Sequence, residues 1–328
     1  MQLSSRISPL LKPQPLRANI LNIATVIRNI LIKLMNYKHM TDLTRNALVV
    51  EGGGMRGSFT CGVLDAFLKH DFNPFSLFVG VSSGSTNVAN YLAGQIGRNI
   101  DIYLDHSLRR EFIHYGRFLK GGDLLDMQWM WDVVEQESPL DQDALFRQNP
   151  DFYMVLTHAI HGHAAYVRAS QENIFDGLRA SSSIPVLTRQ PVLVNGEPYF
   201  DGGVADALPI QWAAAQPDVT QLMVIRTRPK NYFKASSKGD QFLAKYIVKK
   251  NQGFALSLQE RCERYNQSVK FIRQAQTAPV TQKILEICPP DDKRLANRLC
   301  KDKRKLQYTY EVGLDVGLQA IEAWKALR

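Results

Sequence analysis

Leu77-Phe78-Val79-Gly80-Val81-Ser82-Ser83-Gly84-Ser85 is the stretch that decides how this 328-residue chain is read. Leu77–Val81 is a short apolar run, and Gly80-Val81-Ser82-Ser83-Gly84 is a G-x-S-x-G pentapeptide set at its end. A strand-to-helix turn of this kind lifts a serine hydroxyl out of a sheet for nucleophilic attack. Gly80 and Gly84 suit it because the chain turns where a Cβ would clash. Of the serines in the segment, Ser82 alone has glycine two residues away on both sides. The stretch points to a serine hydrolase and leaves open what activates Ser82.

Working outward, strand and helix signals alternate from residue 46 onward. Strands are expected at Ala47–Glu51, Leu77–Val81, Phe152–Ala159, Ala164–Ala169, Pro191–Val194, Pro198–Phe200 and Gln221–Arg226. Helices are expected through Leu68, through Tyr91 to Ala93, over Asn173–Ser182 and from Pro209 to Ala215. Residues 98–150 read as irregular and rich in aromatics, and beyond Pro229 the chain reads as mostly helical and charged. Such alternation implies an α/β fold, a mainly parallel central sheet with helices on both faces. The expected division is a basic extension over 1–45, a catalytic core over 46–228 and a helical extension over 229–328 packed on that core. No internal repeat or low-complexity tract interrupts this order.

Apolar residues make up 45% and charged residues 22%, an ordinary globular balance. Cys61, Cys262, Cys288 and Cys300 are scattered without metal-ligand spacing, which favours reduced thiols in the cytoplasm. The net charge of +9 is concentrated at one end: residues 1–40 hold six basic side chains and no acid, leaving +3 for the rest. Asn19–Met35 is rich in Ile and Leu but broken by Arg28 and Lys33, too short in its apolar runs to span a bilayer. Two readings stay open there: a basic amphipathic helix lying on a membrane surface, or an extension preceding a start at Met40. A basic cluster at Lys301, Lys303, Arg304 and Lys305 offers either contact with lipid phosphates or a solvated face. No nucleic-acid-binding motif is present.

Before the serine lies Glu51-Gly52-Gly53-Gly54-Met55-Arg56-Gly57, between the first strand and the first helix. It satisfies G-x-G-x-x-G, yet a dinucleotide fold needs an acid at the end of the second strand, and here that strand ends in the serine turn. Asp71 has roughly the right spacing but precedes the strand. Converging glycine N–H groups and a helix start suit another anion equally well, the oxyanion formed when a serine attacks an ester carbonyl. Arg56 either adds positive charge there, anchors the loop by an ion pair, or is a solvated surface arginine.

A histidine base is hard to find. The seven histidines end at His163, so the Ser–acid–His order of α/β-hydrolases is not met. His161 and His163 alternate on a strand edge, but no third metal ligand is suggested. Asp201, in Asp201-Gly202-Gly203 after a short strand, is the more economical partner, although Asp-Gly-Gly alone is also a common turn. A direct Ser–Asp dyad is chemically workable when the carboxylate is buried and oriented by a short hydrogen bond.

Together, Gly52–Gly57, Gly80-Val81-Ser82-Ser83-Gly84 and Asp201-Gly202-Gly203 resemble the patatin-like phospholipases in order and spacing. Ala180-Ser181-Ser182-Ser183-Ile184-Pro185 is similar to that family's A-S-x-x-x-P segment. The likeness covers roughly residues 46–228 and implies a three-layer α/β/α fold. It implies Ser82 as nucleophile, Asp201 as general base and the amides of Gly53, Gly54 and Met55 as oxyanion donors, with no metal or cofactor required. Glu51 departs from the family's usual aspartate and puts the loop geometry in question. The expected substrate is a phospholipid or another acyl ester, met in the cytoplasm with peripheral membrane contact. Phe112, Tyr115, Phe118, Trp129 and Trp131 either line an acyl channel or pack a local core. A small-ester or thioester hydrolase on the same site, and a non-catalytic lipid-binding module, remain as alternative classes.

Overall fold

A computed structural model describes residues 44–236, 241, 244, 251–277 and 282–327. In chain order the strands are β1 (Arg45–Val50), β2 (Leu77–Val81), β3 (Asp151–His158), β4 (Ala164–Arg168), β5 (Val192–Val194), β6 (Glu197–Asp201), β7 (Val219–Ile225) and β8 (Lys283–Ile287). The helices are α1 (Gly57–Lys69), α2 (Ser83–Leu92), α3 (Arg98–Leu104), α4 (Tyr115–Leu119), α5 (Met127–Glu137), α6 (Gln142–Phe146), α7 (Ile174–Ser182), α8 (Ile210–Ala214), α9 (Gln252–Thr277) and α10 (Lys303–Leu327).

Five parallel strands run side by side as β3-β2-β1-β7-β8, while β4 and β6 pair antiparallel with β3 and β5 pairs with β6. Strands covered on both faces read as continuous apolar runs, as in Ala47–Val50 and Leu77–Val81, all buried. Alternate residues then serve opposite layers. Leu48, Val50 and Phe78 pack with α1, α2, α7 and α10, whereas Ala47, Val49, Val79 and Val81 pack with α8 and α9. The α/β architecture with helices on both faces is as expected.

One register detail positions everything below. Thr157 of β3 pairs with Ala164 of β4 and also with Phe200 of β6, so these two strands occupy opposite edges of β3. β2 pairs with Asp151–Val155 while β4 pairs with Tyr153–Thr157, so β2 also lies opposite β4. The same edge of β3 is therefore shared end to end by β2 and β6. Val81 stands opposite Val155, and Asp201 opposite the next residue, Leu156.

The chain beyond Pro229 differs from the expectation of a helical extension. Lys283–Ile287 joins the sheet as β8, parallel to β7. Its acid, Glu286, has a fully buried side chain, paired with Arg226 at 2.6 Å and also with Arg273. Residues 98–150 are likewise more regular than expected, holding α3 to α6. The membrane-surface helix considered for Asn19–Met35 lies outside the described residues. No helix among the described residues is long and apolar enough to cross a membrane.

α10 lies against α1 with backbones nearly touching. A Cβ on Gly313 would run into the Phe59 carbonyl oxygen, and the Gly62 Cα would lie 3.1 Å from it. Overpacking of this kind typically destabilises by about 1–3 kcal/mol. Gly313→Val is therefore expected to lower Tm by several degrees in thermal unfolding, and an unchanged Tm would contradict this packing.

Candidate active site

Ser82 sits between β2 and α2 with φ 53° and ψ −129°, a positive φ that a non-glycine residue adopts under strain. The pentapeptide glycines are explained by contact. A Cβ at Gly80 would lie 2.5 Å from the Ser85 Cα, and one at Gly84 would run into the Val50 carbonyl oxygen. The turn is then fastened from α7. The Ser82 N–H donates to Ser181 Oγ at 2.9 Å, and Ser181 O–H donates to the Val155 carbonyl at 2.9 Å. Ser181 has one proton to give, so Ser85 is the donor in their 3.0 Å contact. Ser181 thus ties the serine turn to the end of β3.

Asp201 closes β6, next along that edge, and is 2% exposed. Its N–H donates to Ser183 O at 2.9 Å, and its carbonyl accepts from Thr157 Oγ1 at 2.8 Å. Oδ1 accepts the Gly203 N–H at 2.7 Å, while buried Oδ2 has no partner among the described residues. Ser82 and Asp201 line one cleft.

The glycine loop runs past them from β1. Glu51 is buried, and its Oε2 accepts the Thr227 N–H at 2.7 Å while Thr227 Oγ1 donates to Gly52 O at 3.0 Å. The longer acid in place of aspartate therefore latches the loop to the end of β7. A Cβ on Gly52 would lie 2.6 Å from Val81 O. The Gly53 N–H donates to Ser83 Oγ at 2.9 Å, and the Met55 N–H donates to Arg298 O at 3.1 Å. Between them Gly54, at φ +56°, keeps an amide that donates to no acceptor among the described residues. Among the described residues Arg56 makes no ion pair, and its buried Nε has no partner. Burial, then the neighbouring Arg228, lower the Arg56 guanidinium to about 10, with Glu51 acting the other way.

Two chambers meet at Ser82. One, of about 920 Å³, is apolar and lined by Met55, Ile102, Phe112, Met130, Trp131 and Ile184 among others. The other, of about 820 Å³, contains Asp201 with Arg56, Arg228, Arg261 and Arg298. Of the five aromatics singled out above, Phe112 and Trp131 line the apolar chamber. Phe118 and Trp129 pack against the core, and Tyr115 is exposed. Sequence reading missed Arg228 and Arg298. Arg228 carried a usable signal, since open α/β sheets bind ligands beyond the carboxyl ends of their strands. Arg298 carried none, lying in the connection between β8 and α10. His161 and His163 stack with His158 at 4.6 and 5.2 Å instead, away from Ser82, and His158 is held by Glu197 at 3.2 Å. Ser181→Ala would strand the Ser82 N–H and the Val155 carbonyl, a loss of about 1–3 kcal/mol. Thermal unfolding checks this, and an undiminished Tm would contradict the fastening role.

Residues 48–214 match the sequence profile of the family described as Patatin-like phospholipase. Residues 251–327 match a second, described as Domain of unknown function (DUF6363). Over 192 residues the chain is 39% identical to the Uncharacterized protein YjjU of Escherichia coli (strain K12), covering 58% of this chain and 54% of that protein. Over 182 residues it is 26% identical to the Probable lipid hydrolase 463L of Invertebrate iridescent virus 6, covering 51% of this chain and 62% of that protein. The chain thus spans less than two thirds of the length of either relative. Among solved structures, VipD from Legionella pneumophila aligns with a TM-score of 0.41 at 14% identity, covering 85% of this chain and 67% of that one. The first profile takes in half of the chain, from β1 through the glycine loop, the serine turn and Asp201, and on it the chain belongs to the patatin-like phospholipase family.

Proposed function

We propose that this protein is a lipid acyl hydrolase of phospholipase A or esterase type, working through a Ser82–Asp201 dyad and an acyl-enzyme. The observation that carries the reading is the position of Asp201, one residue further along the β3 edge than Val81, which ends β2 just before Ser82, with Oδ2 unengaged among the described residues. Family membership and the lipid hydrolase name of one relative support the substrate class.

In the first half-reaction Ser82 Oγ attacks the ester carbonyl carbon while Asp201 takes the hydroxyl proton. The oxyanion that develops is met by the Gly54 N–H, beside Gly53 and Met55 whose amides hold the loop in place. Preorganised donors of this kind are commonly the largest single contribution to acyl transfer. Collapse breaks the ester C–O bond, and the leaving alkoxide takes the proton from Asp201. Water then gives a proton to Asp201 and attacks the acyl-Ser82 carbonyl, releasing the acid and restoring the serine. The acyl chain occupies the apolar chamber, whose lining is predominantly hydrophobic as in ordinary ligand sites. Neither step needs a metal.

Peripheral membrane contact belongs to the same proposal. α4 exposes Leu119 at 86% and Tyr115 at 61%. Lys301 lies over the Tyr115 ring and donates to the carbonyl of Ile113, which lines the apolar chamber with Leu299. Apolar tips among exposed basic residues suit an anionic lipid surface.

Ser82→Ala and Asp201→Asn are each expected to lower hydrolysis of a chromogenic acyl ester by at least about a thousand-fold while circular dichroism stays unchanged. Asp201→Asn retaining activity would sink the dyad. Leu119→Glu is expected to reduce hydrolysis of vesicle lipid about tenfold and leave a soluble short-chain ester untouched. Equal rates on vesicles before and after would remove α4 from the lipid contact.

A further inference from the structure

The polar chamber beside Ser82 has a charge pattern that ester hydrolysis does not require. Arg56, Arg228 and Arg298 line it, together with Arg261 and Lys234. Among the described residues, none of the first three guanidiniums has a carboxylate at ion-pair distance, and the Nε atoms of Arg56 and Arg298 are buried without partners. This contrasts with Arg226, which is fully buried and whose charge is met by Glu286.

Among the described residues two acids, Glu51 and Asp201, line the chamber against these cations. Glu51 holds the Thr227 N–H, and Asp201 holds the Gly203 N–H. Half-buried like charges that outnumber the acids beside them repel and lose hydration, and the lowered proton affinity of Arg56 reflects both effects. An arrangement that is unfavourable when empty becomes favourable when an anion bridges the charges, because guanidinium–phosphate bonds are charge-assisted and frequently bidentate.

The arginines are also held in place. Arg228 stacks on the Tyr232 ring at 4.4 Å, which fixes the plane of its guanidinium. The Arg298 carbonyl accepts the Met55 N–H, so its backbone is tied to the glycine loop, and its side chain borders both chambers. Arg261 Nε donates to the Gly203 carbonyl at 2.6 Å, next to Asp201. A ligand whose carbonyl reaches Ser82 and whose acyl chain fills the apolar chamber has its remaining end here.

We propose that Arg56, Arg228 and Arg298 form a phosphate-binding subsite that makes this protein selective for acyl lipids with an anionic phosphate headgroup over zwitterionic or neutral ones. The inference rests on the hydrolase reading above and deepens it. A quaternary ammonium headgroup meets three cations in this chamber, whereas a phosphomonoester finds complementary charge.

The test has two arms on the full chain. In the first, mixed micelles present phosphatidic acid, phosphatidylcholine or diacylglycerol with identical acyl chains. The expected kcat/KM for phosphatidic acid exceeds the other two by about tenfold or more, and the ratio collapses toward one in R228Q/R298Q. Equal rates on the three lipids, or a ratio that survives in R228Q/R298Q, would overturn the subsite. In the second arm, calorimetry measures binding of glycerol 3-phosphate and of inorganic phosphate to the S82A protein. Binding of glycerol 3-phosphate that is lost in S82A/R228Q supports a headgroup site, while binding of inorganic phosphate alone overturns it in favour of a free-anion site. Glycerol 3-phosphate binding with no hydrolysis of any lipid by the wild type would support the anion pocket and overturn the hydrolase reading instead.

Discussion

The sharing of one edge of β3 by two strands is the constraint on which the rest of the structure depends. β2 runs along that edge and leaves it at Val81, where the chain must turn up into α2, and β6 arrives antiparallel and ends at Asp201 in the next position. A serine hydroxyl and a carboxylate from residues 119 positions apart in sequence are brought to neighbouring places by backbone pairing, which is more rigid than any loop. Ser181 and Thr157 complete the join through the Ser82 N–H, the Val155 carbonyl and the Asp201 carbonyl. With these polar groups satisfied, the strained φ of Ser82 is held by its surroundings, as strained residues at functional sites generally are.

The glycine loop then divides the space above the serine. Gly52 and Gly53 border the cationic side, Gly54 and Met55 the apolar side, and Ser82 belongs to both. Its anchors lie at opposite ends: Glu51 and Gly52 on Thr227 after β7, and Met55 on the Arg298 carbonyl before α10. The C-terminal part of the chain is consequently integral to the site. It supplies β8, packs α10 on the helix that begins at Gly57, and contributes Arg298 to the wall of the cleft.

Most of the fold was legible because the central strands are short and carry apolar runs, Ala47–Val50 and Leu77–Val81 above all. Leu77–Val81 was read with its observed limits, and the glycines of the serine turn, Gly80 and Gly84, sit where close backbone approach leaves no room for a Cβ. β8 was not legible, because it lies in a stretch read as helical and charged, and its acid, Glu286, is buried only through pairing with the distant Arg226 and Arg273. The individual states of the loop amides were also hidden. Three glycines in a row say that N–H groups converge, but not that Gly53 and Met55 spend theirs on Ser83 and Arg298. Those acceptors are 30 and more than 200 residues away. The cationic cluster was invisible for the same reason, since Arg56, Arg228 and Arg298 are gathered from three distant turns and no local pattern links them.

The central claim, that Asp201 activates Ser82 without a histidine, is tested most directly by the rate and position of covalent labelling with a fluorophosphonate, read by peptide mass spectrometry. The account predicts modification at Ser82 in the wild type, none at Ser83 or Ser85, and labelling slowed by orders of magnitude in Asp201→Asn. Labelling of Ser82 at an undiminished rate in Asp201→Asn, or attachment at another serine in the wild type, would contradict it.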